Sequence, residues 1–171
     1  LNRFADRQLA NANAKKDVGQ QFDSIRWHSA AIAIQEVLRK QLSEQWSPEY
    51  ANSLATAYCN RGSIRKSAGD ITGAISDHNT AIALGEILRE QLGEQWSPNF
   101  AINLAMSYVT RGLSRMFPDN ATWESSNYDA AIAILEVLRE QLGEQWSPKY
   151  ANALSAAYTS RGFARKSAGD V

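Results

Sequence analysis

The sequence predicts an all-α fold built from stacked helix pairs, and three observations support this prediction. The segment at residues 81–100 also occurs, with few changes, at 31–50 and 131–150, so the chain repeats every 50 residues. Within each copy, apolar residues recur at steps of three and four, the period of an amphipathic helix. Each copy carries Ser-Pro near its end, a typical helix start. A repeat of this length is typical of an array in which each helix pair covers the apolar face of the next.

The start of the chain is predicted to form two helices. Residues 1–17 are weakly patterned, but they align with 51–67, and this alignment places Gly19 on Gly69. We therefore interpret them as a degenerate first helix. Residues 20–43 follow as the second helix, because their apolar residues keep the helical period.

The next helix has clear start and stop signals. Ser47 is predicted to cap it and Pro48 to occupy its first position, where a missing N–H costs nothing. Trp46 precedes the cap and is expected to pack back on the first turn. Gly62 lacks a side chain and is expected to let a second helix approach closely, and Gly69 ends the helix.

The remaining elements repeat this plan. Asp70 is predicted to cap the following helix. In the next pair Pro118 must end the first helix, and Asp119 or Asn120 is expected to cap the second. The prediction is seven helices in four units: a degenerate first repeat at 1–47, a second at 48–97, a third at 98–147 and the first helix of a truncated fourth at 148–171.

Composition narrows the class of protein. Lys plus Arg and Asp plus Glu each number 18, so the cationic field that binds nucleic acid or an anionic membrane is missing. The single Cys59 excludes an intrachain disulfide and is typical of a reducing, cytoplasmic compartment. No apolar run approaches the roughly 18 residues of a membrane span. The chain lacks an initiator Met and stops where an earlier repeat is half finished, which indicates a fragment of a longer array.

A set of small residues at fixed offsets resembles the tetratricopeptide repeat. The resemblance lies in AYCNRG at 57–62, the Gly-Asp turn at 69–70, AISD at 74–77 and AIAL at 81–84. The longer form, with Ser-Pro before the next helix, is similar to the repeats of the kinesin light chain type, which carry His-Pro there. The period and the turn around Pro118 depart from the family pattern. The resemblance implies a right-handed α-solenoid of antiparallel helix pairs, whose first helices line a concave groove that binds peptides.

The groove positions that the resemblance implies differ between the copies, while the helix-packing residues repeat. This contrast is expected where one set serves the scaffold and the other a partner. The alternative is that these residues are merely solvated or covered by an adjoining repeat. The candidate groove residues are Cys59, Asn60, Ser63 and Lys66 in one copy, Met106, Val109, Thr110, Leu113, Met116 and Phe117 in the next, and Thr159, Ser160, Phe163 and Lys166 in the last.

Two other kinds of ligand are weighed against a peptide. A co-chaperone clamp for a C-terminal carboxylate resembles this fold but needs Lys, Arg and Asn at particular groove positions. Those positions here hold Cys59, Ser63, Thr110, Ala156 and Ser160, which disfavours that ligand. The Arg pairs four residues apart on the first helices could bind a phosphate or an acidic peptide. Pairing of Arg61 with Asp77 on the partner helix is favoured instead, and Asn127 in the next copy leaves Arg111 as the least neutralised arginine.

No pattern indicates catalysis, a cofactor or a metal. His28 and His78 occupy equivalent positions, where Tyr128 stands in the third copy, so they are interpreted as packing residues. Metal-ligand spacing, a phosphate loop and paired carboxylates are missing. Cys59 has no evident His partner.

The predicted function is a non-catalytic scaffold that binds a protein or peptide, either an amphipathic helix or an extended segment, in the concave groove. One alternative is a structural module that forms oligomers through its exposed array ends. The other is a regulatory domain of a larger enzyme.

Overall fold

The computed structural model describes the backbone of residues 2–114 and 121–169, and the side chains of 19–43, 45–93, 95–114 and 125–169. Within this part the chain is helical and contains no strand, as predicted. None of these helices is both long and apolar enough to cross a bilayer. The helices are α1 (Asn2–Leu42), α2 (Pro48–Ser67), α3 (Ile71–Leu92), α4 (Pro98–Ser114), α5 (Ala121–Leu142) and α6 (Pro148–Ser167), and a 3-10 turn follows each of α1, α3 and α5.

Six helices are described where seven were predicted, because α1 is continuous. The predicted break near Gly19 does not occur. In the equivalent turn, Gly69 has a φ of +85° and the Asp70 carboxylate accepts a 2.8 Å hydrogen bond from the N–H of Gly73. Gln20 stands in the place of Asp70 and offers no short acceptor for a new helix start, so the first helix simply continues.

The predicted helix starts are confirmed. The hydroxyl of Ser47 accepts from the N–H of Tyr50 at 3.4 Å, and Ser97 caps α4 in the same way. The Ser147 side chain makes no such bond. The centroids of the Trp46 and Tyr50 rings are 5.5 Å apart, so the tryptophan packs back on the first turn of α2. The predicted turn at residues 117–120, with Pro118, lies outside the described residues.

The helices are arranged in two rows. Each helix packs against the next one along the chain, and α4 also packs against α2 and α6. In the described part of the chain, α1, α3 and α5 make no contact of this kind with one another. The helices α2, α4 and α6 therefore form one row, which we call the inner row, and α1, α3 and α5 form the outer row.

Close approach between the rows depends on glycine, as predicted for Gly62. A Cβ built on Gly62 would lie 2.8 Å from the ring of His78, which is fully buried. Gly112 stands in the same relation to the buried ring of Tyr128. His78 and Tyr128 therefore fill equivalent places, which confirms the interpretation of His78 as a packing residue.

Polar contacts between the rows also recur every 50 residues. The hydroxyl of Tyr58 donates to Glu36 at 3.2 Å, and that of Tyr108 donates to Glu86 at 2.9 Å. Tyr158 makes the same contact with Glu136 at 2.9 Å. The three copies therefore pack their helices in the same manner.

Candidate protein-binding surface

The predicted groove residues that the structure describes lie on the inner row. Their register is set by contacts between α2 and α4, where the sulfur of Cys59 lies 3.5 Å from the hydroxyl of Thr110. Nearer the start of these helices, the Asn103 amide donates to the side-chain oxygen of Asn52 at 3.1 Å. Because both pairs are 51 residues apart, equivalent positions of the repeat lie almost side by side across the row.

Exposure divides the candidates into three groups. The exposed residues are Asn60, Thr159, Phe163 and Lys166. The half-buried residues are Cys59, Ser63, Lys66, Met106, Thr110, Leu113 and Ser160. Val109 is buried, and Met116 and Phe117 lie outside the described residues.

Val109 and Thr110 take part in the packing between helices. Val109 is only 2% exposed and belongs to the apolar core. The Thr110 hydroxyl lies between the Cys59 sulfur and Nδ1 of His78, which is 3.3 Å away, and donates within its own helix to the carbonyl of Met106. The burial of Val109 corrects the expectation that it lines the groove. The Thr110 hydroxyl makes its contacts within and between the packed helices.

We call the remaining described candidates, which lie at several equivalent positions of the inner-row helices, the inner surface. Ser63, Leu113 and Phe163 occupy one equivalent position on α2, α4 and α6, and Phe163 is 60% exposed. Lys66 and Lys166 occupy a second position, one helical turn further along. Burial lowers the pKa of the Lys66 ammonium from its usual value. The inner surface therefore carries the apolar side chains of Leu113 and Phe163, and lysines near the carboxyl ends of α2 and α6.

Three arginines of the inner row, Arg61, Arg65 and Arg111, make contacts between helices. Arg61 binds both carboxylate oxygens of Asp77, at 2.7 and 2.8 Å, and Arg65 binds the same carboxylate at 3.0 Å. This confirms the predicted pairing. Arg111 donates to Asn127 at 2.8 Å and to Asn79 at 3.0 Å, so it is held between two outer helices. This arrangement gives no support to an arginine ladder that binds phosphate.

His78 should make the fold sensitive to acid. Burial lowers its pKa from 6.5 to about 4. Between these two values the unfolded chain binds a proton that the folded chain does not, so stability falls as the pH falls. We expect the free energy of unfolding to drop by about 2 kcal/mol from this residue between pH 7 and pH 5.

Urea denaturation at the two pH values measures this effect, and the control variant is His78→Tyr. Tyr128 already fills the equivalent place against Gly112, so the tyrosine should fit. Between pH 7 and pH 5, His78→Tyr should lose about 2 kcal/mol less unfolding free energy than the wild type. Equal losses in the two proteins would show that His78 is not the acid-sensitive group.

Two clefts on the outer row were not found by sequence reasoning. One of about 430 Å³ lies between α3 and α5 above α4, and one of about 400 Å³ lies between α1 and α3 above α2. They are equivalent, since Trp96, Ile134 and Leu138 in the first correspond to Trp46, Leu84 and Leu88 in the second. The 50-residue spacing of these residues was visible in the sequence, but the tryptophans were interpreted only as helix-start residues.

The described residues contain no group of three His, Cys, Asp or Glu side chains that could hold a metal. Comparison with protein-family models, with curated proteins and with solved structures finds no match for this chain.

Proposed function

We propose that this chain is a scaffold of tetratricopeptide-like repeats, wound as a right-handed solenoid, that binds a protein or peptide without catalysis. Its binding site is the inner surface. The free thiol of Cys59 is half-buried and fits the cytoplasmic location that we propose with it.

One observation carries the proposal, namely which residues repeat and which vary. The contacts that join the helices return in every copy, for example between Tyr58 and Glu36 and between Tyr108 and Glu86. On the inner surface, one position holds serine, leucine and phenylalanine in successive copies, at residues 63, 113 and 163. Variation at surface positions, beside contacts between helices that repeat, is expected where that surface recognises a partner.

The chemistry of the inner surface suits the apolar face of an amphipathic helix or an extended apolar segment. Leu113 and Phe163 offer apolar area beside Met106, whose flexible side chain adapts to irregular shapes. The helices that carry these residues are held by packing on both rows. A preformed surface loses little conformational freedom on binding, which favours affinity.

The test is a peptide-display selection on the purified protein, followed by calorimetric titration of the selected peptides. Phe163→Ala should weaken binding by at least about tenfold, because an exposed aromatic anchor contributes more than about 1.4 kcal/mol when a ligand buries it. The control is Val137→Ala on the outer row, since Val137 is 54% exposed and lines the larger cleft.

Unchanged affinity of Phe163→Ala for every selected peptide would contradict the proposal. Loss of affinity in Val137→Ala alone would place the site in the outer clefts instead.

A further inference from the structure

The two outer clefts are each walled by helices on both sides. Helices α3 and α5 form the walls of the larger cleft, with Ala101 and Tyr108 of α4 between them. Helices α1 and α3 form the walls of the smaller cleft, with Ala51 of α2 between them. The volumes of about 430 and 400 Å³ lie within the range of roughly 300 to 1,000 Å³ that is usual for small-molecule sites. Each cleft therefore has room for a small organic molecule.

One wall of each cleft is apolar. Its residues are Ile134, Val137 and Leu138 in the larger cleft, and their counterparts Leu84, Ile87 and Leu88 in the smaller one. Val137 and Ile87 are 54% and 45% exposed, so each offers apolar area that a ligand would withdraw from water. In the larger cleft this wall runs from Ala130 to Leu138, about 12 Å along a helix. A wall of this kind suits an extended aliphatic chain.

Each cleft also carries an arginine, near the carboxyl end of its outer-row helix. Arg89 lies over the Trp96 ring in the larger cleft, with 5.9 Å between its Cζ and the ring centroid. Arg39 and Trp46 are the counterparts in the smaller cleft. Of the described residues that line the smaller cleft, only Arg39 carries a charge. The charge that complements both clefts is therefore a single negative one.

The larger cleft contains one carboxylate, which is already engaged. Glu86 accepts from the Tyr108 hydroxyl at 2.9 Å and contacts Nη2 of Arg89 at 2.6 Å. A guanidinium has five N–H donors, so this contact leaves donors for a second anion. The Arg89 side chain is 49% exposed and can be reached from solvent.

The tryptophan beside each arginine has an unused donor. The indole N–H groups of Trp46 and Trp96 are buried, and no described residue accepts a hydrogen bond from them. A buried donor without an acceptor costs free energy. A carboxylate bound to the neighbouring arginine would bring an acceptor to this wall.

We propose that each outer cleft binds one molecule of an aliphatic carboxylate of about ten carbons, the extended length of which matches the apolar wall. Its carboxylate contacts Arg89 in the larger cleft and Arg39 in the smaller one. Its hydrocarbon chain lies against the apolar wall and covers Val137 or Ile87. The inference goes beyond the proposed function, because the clefts lie on the outer row and share no residue with the inner surface.

Calorimetric titration of the purified protein with decanoate tests the inference through its stoichiometry. The wild type should bind two molecules per chain, one in each cleft. Val137→Glu and Ile87→Glu each place a charge in one cleft, so each variant should bind one molecule, and the double variant none. The matched control is Val37→Glu, because Val37 is 53% exposed at the equivalent position of α1 and lines neither cleft. It should bind two molecules, and a helical melting curve checks that every variant folds.

The role of the arginine is tested with Ile87→Glu as the parent, in which only the larger cleft remains. Adding Arg89→Gln should weaken decanoate binding at least about tenfold, because a charge-assisted hydrogen bond is lost. Adding Glu86→Gln should tighten it by up to about fivefold, since the competing carboxylate is removed while an acceptor for Tyr108 remains. Arg139→Gln is the control, because Arg139 makes the same contact with Glu136 but lines neither cleft.

Two ligand series separate the chain from the head group. Octanoate should bind about tenfold more weakly than decanoate, because two buried methylenes are lost. Decyltrimethylammonium has the same chain with a positive head and should not bind. Equal binding of the two head groups overturns the proposal, as does decanoate binding that persists in the double variant or does not saturate. A wild-type protein that binds no decanoate also overturns it.

Discussion

Replacing Asp77 by alanine is expected to lower the free energy of unfolding by about 3 kcal/mol. The Asp77 side chain is only 3% exposed and binds two guanidinium groups, Arg61 at 2.7 Å and Arg65 at 3.0 Å. The arginine side chains are themselves only 13% and 25% exposed. Removing the carboxylate leaves Arg61 partly withdrawn from water without a counter-charge, while Arg65 keeps as counter-charge only the exposed Asp70, at 3.5 Å. The cost of the uncompensated Arg61 charge is larger than the net value of the intact pair.

Urea denaturation of Asp77→Ala measures the loss, and two other variants calibrate it. Asp77→Asn should cost less, because Asn127 occupies the equivalent place and accepts from Arg111 at 2.8 Å. Asp129→Ala removes the carboxylate that binds Arg161 at 3.0 Å, but Asp129 is 47% exposed, so about 0.2 to 1 kcal/mol is expected. If Asp77→Ala costs no more than Asp129→Ala, the buried pair does not hold α2 to α3.

Features that depend on a few neighbouring residues were predictable from the sequence. The caps at Ser47 and Asp70 need only a short polar side chain before the first turn, and both were found as predicted. The close approach at Gly62 was also predictable, because a helical glycine in register with apolar residues leaves room for a facing ring. The break predicted near Gly19 does not occur. Gln20 stands in the place of the capping Asp70, and an alignment of the repeats gives too little weight to the loss of that cap.

Features that depend on the distance between helices were not predictable in the same way. Whether Val109 faces a ligand or the core depends on how closely α4 packs against its neighbours, and no local pattern reports this. The outer clefts exist because α3 and α5 stay apart while α4 packs below them. The exposure of Ile34 also depends on the packing of neighbouring helices, because its counterparts Leu84 and Ile134 are buried in the same repeat position.

Replacing Gly62 by leucine is expected to lower the free energy of unfolding by about 3 kcal/mol, the upper part of the range for an overfilled core. The new Cβ would lie 2.8 Å from the His78 ring. That ring is fully buried and its Nδ1 contacts Thr110 at 3.3 Å, so it cannot swing into solvent. The two helices must move apart, which disturbs the core on both sides of α3.

The chain supplies its own control, because Gly162 occupies the equivalent position on α6 and a Cβ added there would have nothing within 4 Å. Leucine there replaces a poor helix former and should raise the free energy of unfolding by up to about 1 kcal/mol, measured by urea denaturation. The double variant Gly62→Leu with His78→Ala should recover part of the loss, since the alanine vacates the space that the leucine needs. Equal effects of leucine at the two glycines would mean that the close approach of α3 to α2 is not what makes glycine necessary at position 62.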